Sequence, residues 1–181
     1  MYRDVIIAGF GGQGIIFAGK LLSYAGLKEG REVVFYPSYG AEMRGGTANC
    51  TVIISDSMIP SPIVSFPSGA IVMSYPAFDK FLPRVEKDGQ VVVNASLIKE
   101  RTKRNDLYIV RIPANDVAES MGNSRVANMV ALGAWVHLSG VVSLKALLSS
   151  LKDVLSPDKS DLLKINEKAL KKGWELVSNS D

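Results

Sequence analysis

The chain has 181 residues, of which 47% are hydrophobic, and this is the size of one globular domain built around a single core. Lys plus Arg number 21 and Asp plus Glu number 18, so a formal net charge of +3 is too small to indicate a nucleic-acid surface. One cysteine, Cys50, and one histidine, His137, exclude an intrachain disulfide and every thiolate cage for zinc or iron–sulfur.

Alternating strand and helix patterns predict a three-layer α/β/α domain over residues 1–181, with a largely parallel sheet and helices at the C-terminal end. Segment 38–54 has no helix between two strand candidates, so a mixed or antiparallel part is expected there. No apolar run approaches the roughly 20 residues that span a bilayer, which favours a cytoplasmic protein. The predicted strands are 5–9, 33–36, 48–55, 70–74, 90–94 and 107–112, and the predicted helices are 15–28, 77–85, 115–121, 125–138, 143–154 and 160–177.

A glycine-rich turn directly follows the first strand and directly precedes the first helix. Glycines permit a sharp turn and a close approach of the backbone to a ligand, and the free amides of a helix N-terminus attract an anion. The turn therefore predicts a phosphate or pyrophosphate contact; the alternative is a tight turn that only packs the helix on the sheet. The candidate residues are Gly9, Gly11, Gly12, Gln13 and Gly14.

An NAD site of the usual type needs an acidic residue about 20 residues beyond such a turn, at the end of the second strand. Here that strand continues into Pro37 and Ser38 and has no carboxylate at its end. The sequence therefore favours a phosphate-bearing ligand other than NAD.

A second glycine-rich segment follows the second strand and places an acid and an arginine between glycines. A planar guanidinium beside flexible glycines can bind a phosphate or a carboxylate, and the acid can orient it or pair with a partner subunit. The alternative is a surface loop with an exposed ion pair, which would add little stability. The candidate residues are Tyr39, Gly40, Glu42, Arg44, Gly45 and Gly46.

Residues 126–136 are apolar around the whole helical circumference except at Asn128. Such a helix must be buried or covered, and we expect partial coverage by another chain. Asn128 then needs partners, which are either a neighbouring backbone or a ligand, because an unpaired buried amide costs on the order of 1 to 3 kcal/mol.

These motifs, taken in this order, resemble the gamma subunit of 2-oxoacid:ferredoxin oxidoreductases over most of residues 1–140. The resemblance implies a subunit of an enzyme that decarboxylates a 2-oxoacid on thiamine diphosphate, reduces ferredoxin and transfers the acyl group to coenzyme A. The motifs are GxGGQG at 9–14, Tyr39-Gly40 with Glu42 and Arg44-Gly45-Gly46, Ser61-Pro62, and Asn128-Met129-Val130 with Leu132-Gly133-Ala134.

By this resemblance, residues 11–14 face a phosphate-bearing group, and Arg44 anchors negative charge or holds a subunit interface. The chain helps to form the coenzyme A site and is not expected to be active alone, because it has no GDG motif for a magnesium–thiamine diphosphate site and no cysteine set for a cluster. Thiamine diphosphate, magnesium and iron–sulfur clusters are then held by alpha and beta subunits and by a delta subunit or ferredoxin. In isolation the chain could form a homodimer.

The amino-acid sequence of residues 37–54 favours the 2-oxoglutarate branch of this family, with pyruvate and branched-chain 2-oxoacid enzymes as alternatives. Two other classes of function stay open from the sequence. One is a free-standing nucleotide- or flavin-binding module that uses only the 9–14 turn, and the other is an interaction subunit whose two loops simply contact other chains.

Overall fold

The computed structural model describes residues 1–39, 47–156 and 161–178. These ranges contain six strands and six α-helices, and the candidate residues Gly40, Glu42, Arg44, Gly45 and Gly46 lie outside them. In chain order the elements are β1 (Tyr2–Phe10), α1 (Ile15–Lys28), β2 (Glu32–Tyr39), β3 (Thr47–Ser55), β4 (Gly69–Val72), α2 (Tyr75–Phe81), β5 (Gln90–Asn94), β6 (Tyr108–Ile112), α3 (Ala114–Ser120), α4 (Ala127–Ser139), α5 (Leu144–Val154) and α6 (Leu163–Ser178).

The strands form one mixed sheet in the order β2-β3-β1-β4-β5-β6. β3 is antiparallel to both of its neighbours, and the remaining pairs are parallel, which confirms the predicted exception in segment 38–54. The carboxyl ends of β1, β2, β4, β5 and β6 consequently lie at one edge of the sheet. We call this the carboxyl edge and the opposite one the amino edge.

The sheet is covered on both faces, as the continuous apolar strands predicted. Successive residues of β1 point to opposite faces, so Val5 and Ile7 join one buried cluster while Ile6 and Ala8 join a second. The first cluster lies under α1, α4, α5 and α6, and the second lies under α2 and residues 95–107. Both helical layers of the predicted three-layer α/β/α arrangement are therefore present.

The apolar helix α4 is covered by its own chain, so the expectation that another chain covers it was wrong. Residues 127–136 are all buried, and α6 is the main element that packs on them. α6 approaches closely because it carries Gly173 against the backbone of Val130, while Gly133 of α4 faces the backbone of Leu170. The sequence showed that every face of α4 needed cover, but periodicity cannot show which element supplies it.

Both ends of one predicted helix differ from the structure for local reasons. The predicted helix 77–85 begins earlier, at Tyr75, with Pro76 in its first turn, where a missing N–H costs nothing. It ends at Phe81 and continues as a short 3₁₀ turn, Leu82–Arg84, because Pro83 cannot donate the next helical hydrogen bond. Among the described helices, none is both long and apolar enough to cross a membrane.

We predict that Gly173→Ala lowers the free energy of unfolding by about 2 to 3 kcal/mol, because the new Cβ would meet the Val130 carbonyl oxygen, which is backbone and cannot rotate away. Gly140→Ala is the control, since Gly140 has a positive φ of 61° but open space around it and should cost about 1 kcal/mol. Urea unfolding measures both changes. Equal losses would contradict close α4–α6 packing.

Candidate anion-binding site

The glycine turn between β1 and α1 lies at the carboxyl edge of the sheet. Gly12 and Gly14 have φ values of 95° and 70°. A residue with a side chain is strained at such positive φ values, so glycine is required at both positions. Gly14 is the N-cap of α1, and no side chain caps that helix. The N-terminal amides of a 14-residue helix therefore provide partial positive charge here.

Gln13 fixes the shape of this turn. Its side-chain oxygen accepts a hydrogen bond from the backbone N–H of Phe10 at 2.6 Å, and its amide nitrogen donates to the Met73 carbonyl at 3.2 Å. Gly9 has no room for a side chain, because a Cβ there would meet the Gln13 oxygen and Met73. Gln13 thus ties the turn to the end of β4, so its side chain contributes to structure at the predicted site.

Asn128 joins the N-termini of α1 and α4. Its Nδ2 donates to the Gly14 carbonyl at 2.9 Å, and its Oδ1 accepts from the Met129 N–H at 2.9 Å. The sequence left open whether Asn128 bonds to a neighbouring backbone or to a ligand, and in the structure it bonds to the backbone. A Cβ on Gly14 would collide with the Asn128 amide, so the two residues depend on each other.

A cavity of about 390 Å³ opens beside Gly14 and Asn128. Arg125 supplies a cation to its wall, and Phe17 and Leu162 supply apolar surface. Sequence reasoning missed Arg125 and the other polar lining residues, because they come from segments far apart along the chain and carry no local motif. Those other residues are Asn123, Ser156 and Asn166.

Two further polar side chains lie buried at the same edge. Asn94 donates to Asn115 Oδ1 at 2.8 Å, but its own Oδ1 has no protein hydrogen-bond partner among the described residues. The hydroxyl of Ser74 is likewise without one in that part of the chain. Neither residue was singled out from the sequence, although both directly follow or end an apolar strand, which is the position that brings side chains to this edge.

The second glycine segment begins at the same edge of the sheet as the first glycine turn and ends next to that turn. β3 starts at Thr47, which pairs with Phe10 at the end of β1, and Tyr39 at the end of β2 pairs with Ala48. The segment between Tyr39 and Thr47 lies outside the described residues, so the roles given to its glycines, Glu42 and Arg44 stay predictions. Its two attachment points nevertheless lie at the carboxyl edge beside the turn.

The sheet order supplies a second physical reason against an NAD site. In the dinucleotide-binding arrangement the second strand lies beside the first and presents its acid to the ribose. Here β3 lies between β1 and β2, so the end of β2 is two strand spacings, about 10 Å, away from the turn. The missing carboxylate and the strand order therefore both argue against an NAD site.

The only thiol of the chain is inert. Cys50 is buried within β3, and burial raises the pKa of its thiol to about 12, so the reactive thiolate is absent at neutral pH. His137 packs its ring edge-to-face against Trp174 at a centroid distance of 4.6 Å. Within the described ranges, no three His, Cys, Asp or Glu side chains are placed to hold a metal ion.

These features define an α/β domain that offers the backbone amides of a helix N-terminus at the carboxyl edge of its sheet. The family model described as pyruvate ferredoxin/flavodoxin oxidoreductase matches residues 4–176. The chain belongs to this family.

Two relatives and two solved structures extend the comparison. The chain is 36% identical to the 2-oxoglutarate synthase subunit KorC of Methanothermobacter marburgensis, over 98% of this chain and 97% of that protein. It is 35% identical to the ketoisovalerate oxidoreductase subunit VorA of the same organism, over 93% of this chain but only 35% of that protein. The chain thus spans about a third of VorA.

The keto/oxoacid ferredoxin oxidoreductase gamma subunit of Geobacter sulfurreducens superposes with a TM-score of 0.86 at 29% identity, covering 99% of this chain and 98% of that one. The 2-oxoglutarate:ferredoxin oxidoreductase of Magnetococcus marinus, solved with 2-oxoglutarate, coenzyme A and succinyl-CoA bound, gives a TM-score of 0.89 at 25% identity. It covers 98% of this chain and 31% of that one. The chain has the fold and the length of the gamma subunits.

We predict that Gln13→Ala lowers the free energy of unfolding by about 1 to 2 kcal/mol, because two hydrogen bonds to backbone groups are lost. Gln90→Ala is a matched control that loses a single bond, from Nε2 to the Leu138 carbonyl, and should cost about half as much. Urea unfolding of both variants measures the difference. An unchanged midpoint for Gln13→Ala would show that this side chain does not hold the turn.

Proposed function

We propose that this chain is the gamma subunit of a multi-subunit 2-oxoacid:ferredoxin oxidoreductase and that it helps to form the coenzyme A site and a subunit interface. The observation that carries the proposal is the uncapped N-terminus of α1 behind a glycine turn, at the carboxyl edge of the sheet. Ligands of open α/β sheets bind at this edge. Coenzyme A carries phosphate groups, the chemistry that such a helix terminus binds.

The residues at this edge fit such a ligand in three ways. No atom lies within 4 Å of the point where a Gly12 side chain would begin, so a phosphate can approach the backbone closely. Gln13 and Asn128 hold the turn and the helix N-terminus in place through backbone bonds. Arg125 adds a positive charge in the adjacent cavity. When bound, coenzyme A supplies the thiol that accepts the acyl group.

The second glycine segment completes this proposal. Because it leaves from Tyr39 and returns at Thr47 beside the turn, Arg44 can reach the same ligand or a partner subunit. We assign Arg44 the role of binding negative charge and Glu42 the role of orienting it. Tyr39, Gly40, Gly45 and Gly46 belong to the same proposed site.

The catalytic cofactors belong to other chains in this proposal. The assignment is supported by the one thiol, which is buried and protonated, and by the one histidine, which packs on Trp174. Thiamine diphosphate and magnesium are assigned to the alpha and beta subunits, and the iron–sulfur clusters to a delta subunit or ferredoxin. This chain would then supply binding and positioning.

The proposed 2-oxoacid is 2-oxoglutarate. KorC, a 2-oxoglutarate synthase subunit, matches this chain over nearly the whole length of both, whereas the match covers only 35% of VorA. The Magnetococcus enzyme, whose matching region has a TM-score of 0.89, was solved with 2-oxoglutarate. Pyruvate and branched-chain 2-oxoacids are the alternatives within the family.

We predict that an affinity-tagged copy expressed in its native cell co-purifies with thiamine-binding and iron–sulfur chains, and that this preparation forms succinyl-CoA from 2-oxoglutarate. Pyruvate and ketoisovalerate, supplied at the same concentration, should give at most about one tenth of that rate, which a 1.4 kcal/mol difference produces. Recovery of the chain alone, or with no thiamine-dependent activity, would refute the subunit assignment.

We predict that Gly12→Ala raises the KM for coenzyme A at least about tenfold, because the new Cβ would stand where a phosphate approaches the backbone. Gly30→Ala is a matched control, since Gly30 also has a positive φ, 72°, and open space, but lies at the amino edge. Both variants should lose about 1 kcal/mol of stability. An equal KM for coenzyme A in the enzymes assembled with Gly12→Ala and with Gly30→Ala would mean that the turn only packs the helix on the sheet.

A further inference from the structure

The loop between β3 and β4 exposes large apolar side chains to an unusual degree. Met58, Ile63 and Phe66 are 83%, 73% and 69% exposed, more than any other large hydrophobic residue in the described ranges. Residues 57–66 contain no charged side chain. A contiguous exposed apolar segment of this kind is typical of a surface that contacts another protein. We call residues 57–66 the apolar loop.

The apolar loop is attached to the rest of the fold near both of its ends, although its side chains are exposed. At its start, the Asp56 N–H donates to the Met1 carbonyl at 3.0 Å, and Arg31 pairs with the Asp56 carboxylate at 2.9 Å. Near its end, Arg84 donates to the Ser65 carbonyl at 3.3 and 3.2 Å. Pro60 and Pro62 restrict the backbone between these points. A loop ordered in advance loses little entropy on binding.

Immediately after the apolar loop, Ser68 is fixed to the buried strand β1. The Ser68 N–H donates to the Asp4 carboxylate at 2.8 Å, and the Ser68 hydroxyl donates to the Asp4 carbonyl at 2.9 Å. Asp4 is 5% exposed, so these bonds are largely protected from water. The apolar side chains therefore project from a frame attached to the core.

The apolar loop lies at the amino edge, at the opposite end of the sheet from the anion-binding site. Ser55, which ends β3, pairs with Tyr2, and Phe10 lies roughly 27 Å further along β1 at about 3.4 Å per residue. A partner that uses the apolar loop therefore does not have to occupy the site itself.

Both described ends of the chain also lie at the amino edge. Met1 is bonded to Asp56, as described above. α6 runs parallel to α4, because Leu170 faces Gly133 and Trp174 contacts His137. α4 ends beside the first residue of β5, since Gln90 donates to the Leu138 carbonyl, so the last described residue, Ser178, is at the same end.

This placement, together with the length of two relatives, favours one occupant. In VorA and in the Magnetococcus chain the region like this protein is only 35% and 31% of the polypeptide. The remainder must be attached at one end of the domain, and hence at the amino edge beside the apolar loop. A partner that replaces this remainder as a separate subunit meets the same surface.

We propose that Met58, Ile63 and Phe66 form an anchor that docks into an apolar groove on the thiamine-binding chain of the complex. The proposal rests on the proposed function, because it assumes that this partner is a separate polypeptide. The anchor holds the amino edge, and the carboxyl edge stays available for coenzyme A. Apolar anchors at the centre of an interface carry much of its affinity.

The test uses the complete oxidoreductase and its gamma-depleted remainder. The triple variant Met58→Ser, Ile63→Ser, Phe66→Ser should bind the remainder with a Kd at least about tenfold above the wild-type value, while its melting temperature stays unchanged. The single variant Ile63→Asp should weaken binding in the same direction. Tyr36→Ser is the control, because Tyr36 is 52% exposed on the edge strand β2 and should bind within about twofold of wild type.

Four outcomes are decisive. Loss of binding by the triple variant and by Ile63→Asp, with normal folding and a normal Tyr36→Ser control, supports the anchor. Wild-type affinity in the triple variant overturns the anchor but leaves the proposed function standing. A wild-type chain that binds no thiamine-binding partner refutes the proposed function. A wild-type homodimer that the triple variant abolishes, without any change in partner affinity, shows that a second copy occupies the loop and overturns the proposal.

Discussion

The antiparallel pairing of β3 with β1 is the constraint on which the rest of the molecule depends. It aligns nine residue pairs, from Tyr2 opposite Ser55 to Phe10 opposite Thr47, and it separates β2 from β1. Because β3 runs against its neighbours, its start lies beside the glycine turn and its end lies beside the chain's first residue. One strand therefore places the second glycine segment at the carboxyl edge and the apolar loop at the amino edge.

The chemistry available at the carboxyl edge is electrostatic. Two glycines with positive φ present the amides of α1, and Gln13 and Asn128 are used to hold that backbone in position. Such preorganised amides need no reorganisation when an anion arrives, which makes them effective without any titrating group. Within the described ranges the one thiol is protonated and buried, so it adds no reactive group to this edge.

The two edges divide the proposed work of the subunit. The carboxyl edge combines an open approach at Gly12 with a cavity that Arg125 lines, which suits a ligand that exchanges. The amino edge combines uncharged exposed side chains with a frame bonded to Asp4 and Asp56, which suits a lasting protein contact. The length of β1 separates the two edges, so a contact at one need not cover the other.

The sequence by itself determined the local structure and the family. Apolar runs and the helical period of 3.6 placed every strand and helix to within a few residues, and the glycine turn was predicted because glycine conformation is a property of the chain itself. The tertiary structure decided what covers α4, that Asn128 bonds to Gly14, and that Arg125 lines a cavity with Asn166. These three features depend on contacts between residues that are distant along the chain. The pattern of a single segment shows that one of its faces must be buried, but it does not show which element buries that face.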